Sequence, residues 1–494
     1  MSKTLSELLK DCSTFTTTEN GMVARSTTKS AVLDLFSVIG AIRNRSEREI
    51  ISKFVDAMRE DVSLAMKTLF YARDIREGLG ERKVFRVILS HLSKNFPALV
   101  SRNLCMIPEF GRWDDLYCIV DSTGSKSLKS EVFKLIETQL KEDLENKKES
   151  KPVSLLAKWL KSENTSSYNS KKLASITRKF LGLTSKEYRK MLSSLREYID
   201  VTECKMSSKD WDKIKYESVP SKAMSTYRKA FERNDRYRFS EFLELVKNGK
   251  AKINSATMVP SDFFRAYKDN WGYVDDVLEL QWKNLPDFIK DDISVIPVSD
   301  VSGSMISNDG LPMSNSVGLG TYLAERNKGP YKDLLITFSN KPSVIDISKC
   351  DTLHDKFRKV FKSDWGYNTD VEAVFNLILK LAVESNLKKE DMAKSIVVIS
   401  DMEFDSGASA LREDFTTYMR KKFNSHGYDL PILVYWNVNS RNDVVHAHKE
   451  AENVVLVSGC SPTVFSKVLG LSRGITPYQM MMDILSSERY KNIN

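Results

Sequence analysis

The hydrophobic pattern of this 494-residue chain changes character near residue 290. Before that point, apolar residues recur at steps of three and four, as they do between Arg48 and Ile75, and this is the spacing of an apolar helix face. Glycine-containing breaks, such as residues 78–80, separate these segments, and alternating strand patterns are not convincing. The first part is therefore predicted to be all-α, built from stacked helical hairpins of the HEAT-like repeat type.

After residue 290, short apolar runs alternate with amphipathic stretches. Buried strands separated by helices are typical of a parallel sheet that is covered on both faces. The second part is therefore predicted to be a doubly wound α/β domain, and the domains are predicted to span residues 1–288 and 289–494. The predicted strands are Ile293–Val298, Leu334–Phe338, Ile396–Ser400, Ile432–Trp436 and Val454–Val457, and the predicted helices include Thr369–Glu384, Leu411–Phe423 and Thr463–Leu469.

Positive charge is concentrated in one stretch of the chain. The whole sequence has a net charge of +9. Residues 151–250 contain 23 lysines and arginines against 12 aspartates and glutamates, a net charge of +11, whereas residues 291–494 contain 23 against 26, a net charge of −3. Because a concentrated excess of cations is what binding to a polyanion requires, this stretch is the candidate nucleic-acid surface.

Aromatic residues lie among these cations, including Tyr188, Trp211, Tyr227, Tyr237 and Phe239. Cations neutralise phosphates and aromatic rings stack on unpaired bases, and RNA recognition uses both. The alternative is a solvated helix face with its aromatic residues in the core. The candidate RNA-binding residues are Lys171, Lys172, Arg178, Lys179, Lys186, Arg189, Lys190, Arg228, Lys229, Arg233, Arg236 and Arg238.

A motif that carries chemistry follows the first predicted strand of the second part. Asp300, Ser302 and Ser304 form a D-x-S-x-S loop in which one carboxylate and two hydroxyls emerge on alternate residues. Ligands collect at the carboxyl ends of strands in doubly wound sheets. Thr369 belongs to the segment GYNTD (366–370) at the start of a predicted helix, and Asp401 ends another predicted strand. These five residues offer hard oxygen ligands, which suit Mg²⁺ or Mn²⁺.

This constellation resembles the metal-ion-dependent adhesion site (MIDAS) of von Willebrand factor A domains. The resemblance implies that Ser302, Ser304 and Thr369 ligate the ion directly or through water, and that Asp300 and Asp401 act mainly through water. An ion held in this way keeps an open position that a partner's carboxylate commonly fills. The structural alternative is that Ser302, Ser304 and Asp401 cap helices.

Five segments of the first part carry a second resemblance: YARDIREGLGERKVFRVIL (71–89), IPEFGRWDDLY (107–117), SLLAKWLKSE (154–163), LGLTSKEYRKMLSSLREYIDVTE (181–203) and VPSKAMSTYRKAFERND (219–235). They resemble a family of helical-repeat proteins that end in an A domain and are related to the Ro ribonucleoprotein (the TROVE module). The resemblance implies a ring of helical repeats that binds small non-coding or misfolded RNA, with an exonuclease or another protein as a partner of the A domain.

Enzyme signals are scarce. The sequence contains no Walker A loop, no G-x-G-x-x-G and no H-E-x-x-H. His446 and His448 are interpreted as part of a surface loop. The scattered cysteines favour a reducing, cytoplasmic location, and neither a membrane nor DNA is expected as a partner.

The leading hypothesis is therefore a non-catalytic RNA-binding protein of the Ro type with a Mg²⁺-binding A domain. The main alternative is a protein-interaction or particle-assembly module that uses the metal site to capture an acidic side chain without RNA. A metal-dependent hydrolase is a third and weaker alternative, because hydroxyl ligands give the ion no obvious general base.

Overall fold

A computed structural model describes residues 13–268, 271–289, 293–337, 342–363, 369–406 and 415–494. The described chain divides into two compact units. One unit, the sheet unit, contains residues up to 72, residues 76–84 and residues 258–492. The other, the helical unit, contains residues 73–75, 85–257 and 493–494. The boundary between residues 288 and 289, which follows the change of hydrophobic pattern, stays a prediction about domains.

The first part of the chain is helical, as its apolar periodicity predicts. It begins with a short hairpin, β1 (Phe15–Thr17) and β2 (Val23–Arg25), and 3₁₀ turns lie at Trp113–Asp115, Trp211–Lys213 and Tyr216–Ser218. The helices are α1 (Ala31–Val38), α2 (Glu47–Glu60), α3 (Val62–Arg73), α4 (Lys83–Asn95), α5 (Pro97–Arg102), α6 (Met106–Phe110), α7 (Leu116–Ser122), α8 (Lys126–Lys148), α9 (Leu156–Trp159), α10 (Tyr168–Phe180), α11 (Ser185–Tyr198), α12 (Thr202–Ser208), α13 (Ser221–Asn234) and α14 (Arg236–Lys247).

The hairpin corrects the expectation that the first part lacks strands. Each of its strands has three residues, which is too short for an alternating pattern to be recognised. The strands pair antiparallel, with Thr17 opposite Val23. Met22, in the turn, is buried in the core of the sheet unit. Tertiary packing therefore supplies what local propensity does not.

Capping residues fix the start of several helices. The Ser46 hydroxyl accepts a hydrogen bond from the Glu49 amide, and the Glu49 carboxylate accepts one from the Ser46 amide, which is a capping box at the start of α2. Thr184 and Glu187 form the same arrangement at the start of α11. Because each box satisfies two amides that have no partner within the helix, it fixes where the helix begins.

A buried ionic network holds one corner of the helical unit. The Asp115 carboxylate is fully buried; it lies 2.8 Å from Nε of Arg73 and 2.6 Å from Nε of Arg86. Asp115 also accepts the backbone N–H of Arg112 at 3.0 Å. A Cβ at Gly111 would lie 2.5 Å from the Asp115 carboxylate, so only glycine leaves room for this network. Arg73 is thus a structural cation.

The second part contains the predicted sheet. Its strand order is β5-β4-β3-β6-β7-β8, and every pair is parallel except β4 and β5. The strands are β3 (Val295–Ser299), β4 (Leu334–Thr337), β5 (Ser343–Asp346), β6 (Ser395–Ser400), β7 (Ile432–Asn437) and β8 (Val454–Ser458). The helices are α15 (Pro260–Lys268), α16 (Asp276–Lys283), α17 (Ser307–Arg326), α18 (Leu353–Phe361), α19 (Val371–Glu384), α20 (Phe415–Ser425), α21 (Phe465–Val468) and α22 (Pro477–Leu485).

Helices cover both faces of this sheet. On one face, α19 and α20 pack against alternate strand residues such as Val298 and Val398. On the other face, Trp436 of β7 packs against Phe465 of α21, with ring centroids 4.6 Å apart, and Phe465 stacks on Tyr322 of α17. The doubly wound architecture is therefore confirmed. Among the described residues, no helix is both long and apolar enough to cross a membrane.

The five predicted strands are confirmed to within two residues at the ends that the structure describes, whereas β5 was not predicted. Phe338, at the end of one predicted strand, and residues 411–414, at the start of one predicted helix, lie outside the described residues. β5 is an antiparallel edge strand with residues Ser343 and Val344 only partly buried or exposed. It lacks the continuous apolar run by which buried parallel strands are recognised.

Candidate metal centre and basic surface

Two buried aspartates lie side by side at the carboxyl ends of β3 and β6. These strands are parallel neighbours, with Ser299 opposite Ile399. The Asp300 amide donates to the Ile399 carbonyl at 3.0 Å, which continues the ladder one residue beyond β3. The side chains of Asp300 and Asp401 are both almost inaccessible to solvent. The sheet topology thus brings together two carboxylates that are 101 positions apart in the sequence.

The D-x-S-x-S loop folds back onto these carboxylates. Asp300 accepts the Ser302 amide at 2.9 Å and the Ser400 hydroxyl at 2.6 Å. The hydroxyl oxygens of Ser302 and Ser304 lie 3.1 Å apart, and the Ser304 hydroxyl donates to the Asp401 carboxylate. Neither serine caps a helix through its side chain, so the capping alternative does not account for them.

Burial disfavours the ionised form of both carboxyl groups. Desolvation raises the pKa of Asp300 above the ordinary value of an aspartate, and the neighbouring Asp401 charge raises it further. Desolvation also raises the pKa of Asp401, although the Arg441 guanidinium opposes that shift. Two buried carboxylates thus share one arginine, which lies 3.0 Å from Asp401. This excess of negative charge suits a divalent cation.

The oxygen atoms also fit the geometry of a small hard ion. Two adjacent ligands of an octahedral Mg²⁺, each about 2.1 Å from the ion, lie about 3.0 Å apart, close to the separation of the two serine hydroxyls. No group of three or more His, Cys, Asp and Glu side chains that could hold a metal occurs in the described part of the chain. The site would therefore depend on hydroxyl ligands.

The backbone of Thr369 is hydrogen-bonded to the loop that follows β6 and contains Asp401. The Asp405 amide donates to the Thr369 carbonyl at 3.1 Å, and the Thr369 amide donates to the Asp405 carboxylate. Thr369 is buried and lies directly before Asp370, the N-cap residue of α19. Contacts thus link Asp300, Ser302, Ser304 and Asp401 to one another, and link Thr369 to the loop after β6. Residues 366–368, the first three of the segment GYNTD (366–370), lie outside the described residues.

Sequence reasoning missed two groups at this edge. Arg441 follows β7, the strand next to β6, so its position after a strand end was a usable signal. Glu403 is buried beside Asp401, and desolvation raises its pKa. His446 lies in a loop, as predicted, but the prediction that this loop places it on the surface is wrong. His446 is buried between Phe404 and Tyr435, and burial lowers its pKa to about 4.

The candidate RNA-binding cations are mostly exposed on α10, α11, α13 and α14 of the helical unit. Several of the arginines have partners within the helical unit. The half-buried Arg228 donates to the Ser225 carbonyl, and Arg189 donates to the Ser185 carbonyl. Arg178 lies 2.8 Å from Glu163 and donates to the Leu183 carbonyl, and Arg238 pairs with Asp235 and donates to two carbonyls. The cations that are exposed and form no ion pair with another described residue are Lys171, Lys172, Lys179, Lys186, Arg189, Lys190, Lys229, Arg233 and Arg236.

Aromatic exposure separates the rings that could stack on bases from those in the core. Tyr188 and Phe239 are buried, and Trp211 and Tyr227 are half-buried. Tyr237, on α14, is 91% exposed, and Tyr168, which begins α10 and was not among the candidates, is 82% exposed. Tyr237 lies between the exposed Arg236 and Arg238 in the sequence, and Tyr168 lies three residues before the exposed Lys171.

Comparisons with known proteins match nearly the whole chain. A family model described as "Domain of unknown function (DUF2828)" matches residues 18–180 and 153–294, and one described as "Domain of unknown function (DUF7788)" matches residues 294–484. The chain is 30% identical to "Uncharacterized protein L728" of Acanthamoeba polyphaga mimivirus, over 95% of this chain and 86% of that protein. Among solved structures, the Deinococcus radiodurans RO (RSR) protein matches with a TM-score of 0.42 and 15% identity, over 93% of this chain and all of that one.

Proposed function

The chain belongs to the family described as "Domain of unknown function (DUF2828)", and we propose that it is a non-catalytic RNA-binding protein. In this proposal the helical unit binds small structured RNA through its basic surface, and the sheet unit binds Mg²⁺ through Asp300, Ser302, Ser304, Thr369 and Asp401. The sequence resemblance to the Ro family points in the same direction.

One observation carries the RNA-binding part of the proposal. The exposed cations of α10 and α11, such as Lys171 and Lys186, form no ion pair with another described residue. A cation that is already paired must give up its partner before it binds a phosphate, whereas these lysines are available at no such cost. The exposed rings of Tyr168 and Tyr237 add surfaces on which unpaired bases can stack.

The test is a charge reversal that leaves structural cations in place. We expect the combined replacement of Lys171, Lys172, Lys179 and Lys186 by Glu to weaken binding of a fluorescent hairpin RNA with a single-stranded tail at least tenfold, about 1.4 kcal/mol. Arg178 is retained because it pairs with Glu163. Folding is expected to survive, since exposed charges contribute little stability.

The matched control reverses four exposed lysines of the sheet unit, Lys349, Lys362, Lys388 and Lys389. It changes the net charge by the same amount and is expected to bind RNA within about twofold of the wild type. If both variants lose RNA affinity equally, the loss reflects the net charge of the protein and not a particular surface. Wild-type protein that binds no RNA at low salt would favour the alternative, a protein-interaction module that uses the metal site to capture an acidic side chain.

A further inference from the structure

The N-terminal hairpin ends in a closed turn that is packed into the sheet unit. The Thr18 amide donates to the Met22 carbonyl at 2.9 Å, and the Gly21 amide donates to the Thr18 carbonyl at 3.1 Å. Gly21 has a φ of +91°, which is costly for any residue with a Cβ. Because the Met22 side chain is buried in the core, the position of the turn is fixed at its C-terminal end.

Several hydrogen bonds join this turn to the loop that follows Asp401. The Thr18 hydroxyl donates to the Phe404 carbonyl at 2.6 Å, and the Asn20 side-chain amide donates to the Glu403 carbonyl at 2.7 Å. The Glu19 amide donates to the Glu403 carboxylate at 2.8 Å. The backbone on both sides of Glu19 is therefore fixed against the segment that carries Asp401.

The Glu19 side chain is joined to the candidate metal site through Arg441. Its Oε2 lies 2.9 Å from Nη1 of Arg441, and its Oε1 accepts the side-chain amide of Asn442 at 2.8 Å. Nη2 of the same Arg441 lies 3.0 Å from Oδ2 of Asp401. One guanidinium group thus lies between the two carboxylates and pairs with both.

We propose that Glu19 is an internal acidic ligand of the metal site, so that the N-terminal turn occupies the position that a partner's carboxylate would need. This inference rests on the proposed Mg²⁺ site. A divalent cation beside Asp300 and Asp401 attracts the Glu19 carboxylate and repels Arg441, because the charges have opposite and like signs respectively. An acidic partner then binds only after it displaces the turn.

The experiment measures binding of Mn²⁺ alone to the full chain by calorimetry. We expect Glu19→Gln to lower the affinity for Mn²⁺ about tenfold, the loss that typically follows removal of a group that supports a metal site. Glu19→Asp keeps the charge but shortens the side chain by one methylene, and we expect it to lower the affinity as well. Glu450→Gln, at an exposed glutamate, is the control and is expected to bind as the wild type does.

A second measurement follows the turn itself. Mn²⁺ is expected to slow hydrogen exchange of the Glu19 and Met22 amides in the wild type but not in Glu19→Gln. If these amides exchange equally slowly with and without Mn²⁺ in both proteins, the proposal is contradicted, because the turn is then ordered independently of the ion.

Three outcomes overturn the inference in distinguishable ways. If Asp300→Asn abolishes Mn²⁺ binding while both Glu19 variants bind as Glu450→Gln does, the metal site stands and Glu19 is no ligand. If Glu19→Gln binds Mn²⁺ weakly but Glu19→Asp binds it as the wild type does, Glu19 acts only through its charge and is not a ligand. If the wild type binds no Mn²⁺ at millimolar concentration, the metal site and the internal ligand fail together.

Discussion

At the scale of single residues, Asp300 and Asp401 combine burial with unbalanced charge. Each carboxylate accepts hydrogen bonds from its own loop, which stabilise the ionised form, but desolvation outweighs them and raises the pKa of both groups. Arg441 is the only cation within ion-pair distance of either carboxylate among the described residues. An arrangement that costs stability is typical of a site kept for binding.

Asp300→Asn is expected to abolish stabilisation by Mg²⁺ and to raise the melting temperature in the presence of a chelator at pH 7.5. The substitution removes a buried charge, while its amide can still hydrogen-bond to Ser302 and Ser400. Because burial raises the pKa of Asp300 to about 6 in the folded protein, the wild-type residue becomes protonated as the pH falls below about 6. The advantage of the variant should therefore shrink on acidification.

Thermal unfolding with and without millimolar Mg²⁺, between pH 7.5 and pH 4.5, provides the measurement. A wild type that shows no shift with Mg²⁺ would argue against the metal site. A variant that is less stable than the wild type in chelator at every pH would instead assign Asp300 a structural role.

At the scale of elements, α17 is the helix that connects the metal loop with the core of the sheet unit. Directly after its first residue, Ser307, it has three residues in the left-handed region, Asn308, Asp309 and Gly310, and the helix that follows packs closely against α15 and β3. A Cβ at Gly318 would lie 2.7 Å from the carbonyl carbon of Pro260. The absence of a side chain at this position allows the two helices to approach each other.

Gly318→Ala is expected to destabilise the sheet unit by about 1–3 kcal/mol, the usual cost of overpacking, because the obstacle is backbone that cannot rotate away. The control is Gly303→Ala, since nothing lies within 4 Å of a Cβ there. Chemical denaturation in chelator separates this effect from metal binding. Equal stabilities of the two variants would mean that α15 and α17 can shift apart at little cost.

At the scale of the whole molecule, charge segregates between the units. The stretch 151–250, with a net charge of +11, lies wholly within the helical unit, whereas residues 291–492 lie within the sheet unit. Binding of a polyanion and binding of a divalent cation therefore draw on different residues. The two activities should be separable.

RNA affinity is expected to fall steeply with salt, with a slope of log K against log[salt] of roughly −0.7 for each neutralised phosphate of a single strand. The fourfold lysine variant should flatten that slope by about 3 if each lysine contacts one phosphate. Asp300→Asn should leave both the affinity and the slope unchanged. A salt-independent affinity, or an RNA defect in Asp300→Asn, would move the RNA site elsewhere.

Local patterns in the sequence determined most of the secondary structure. The spacing of apolar residues is a property of helices and buried strands themselves, so α2 and β6 could be predicted without knowledge of their neighbours. The position of Asp300 and Asp401 after two strands also placed them at one edge, because parallel strands share their carboxyl ends. Ser302 and Ser304, in the loop directly after β3, could for the same reason be identified as candidate ligands from the sequence.

The tertiary structure alone decided which side chains meet across long separations and which remain exposed. Glu19 and Arg441 are 422 positions apart, and no periodicity connects them; they meet because the N-terminal hairpin packs on the loop after β6. Arg178 and Lys179 are neighbours in a basic stretch, yet only the first pairs with Glu163. The reason is physical: periodicity reports the conformation of a segment, whereas burial and pairing depend on which other segments pack against it.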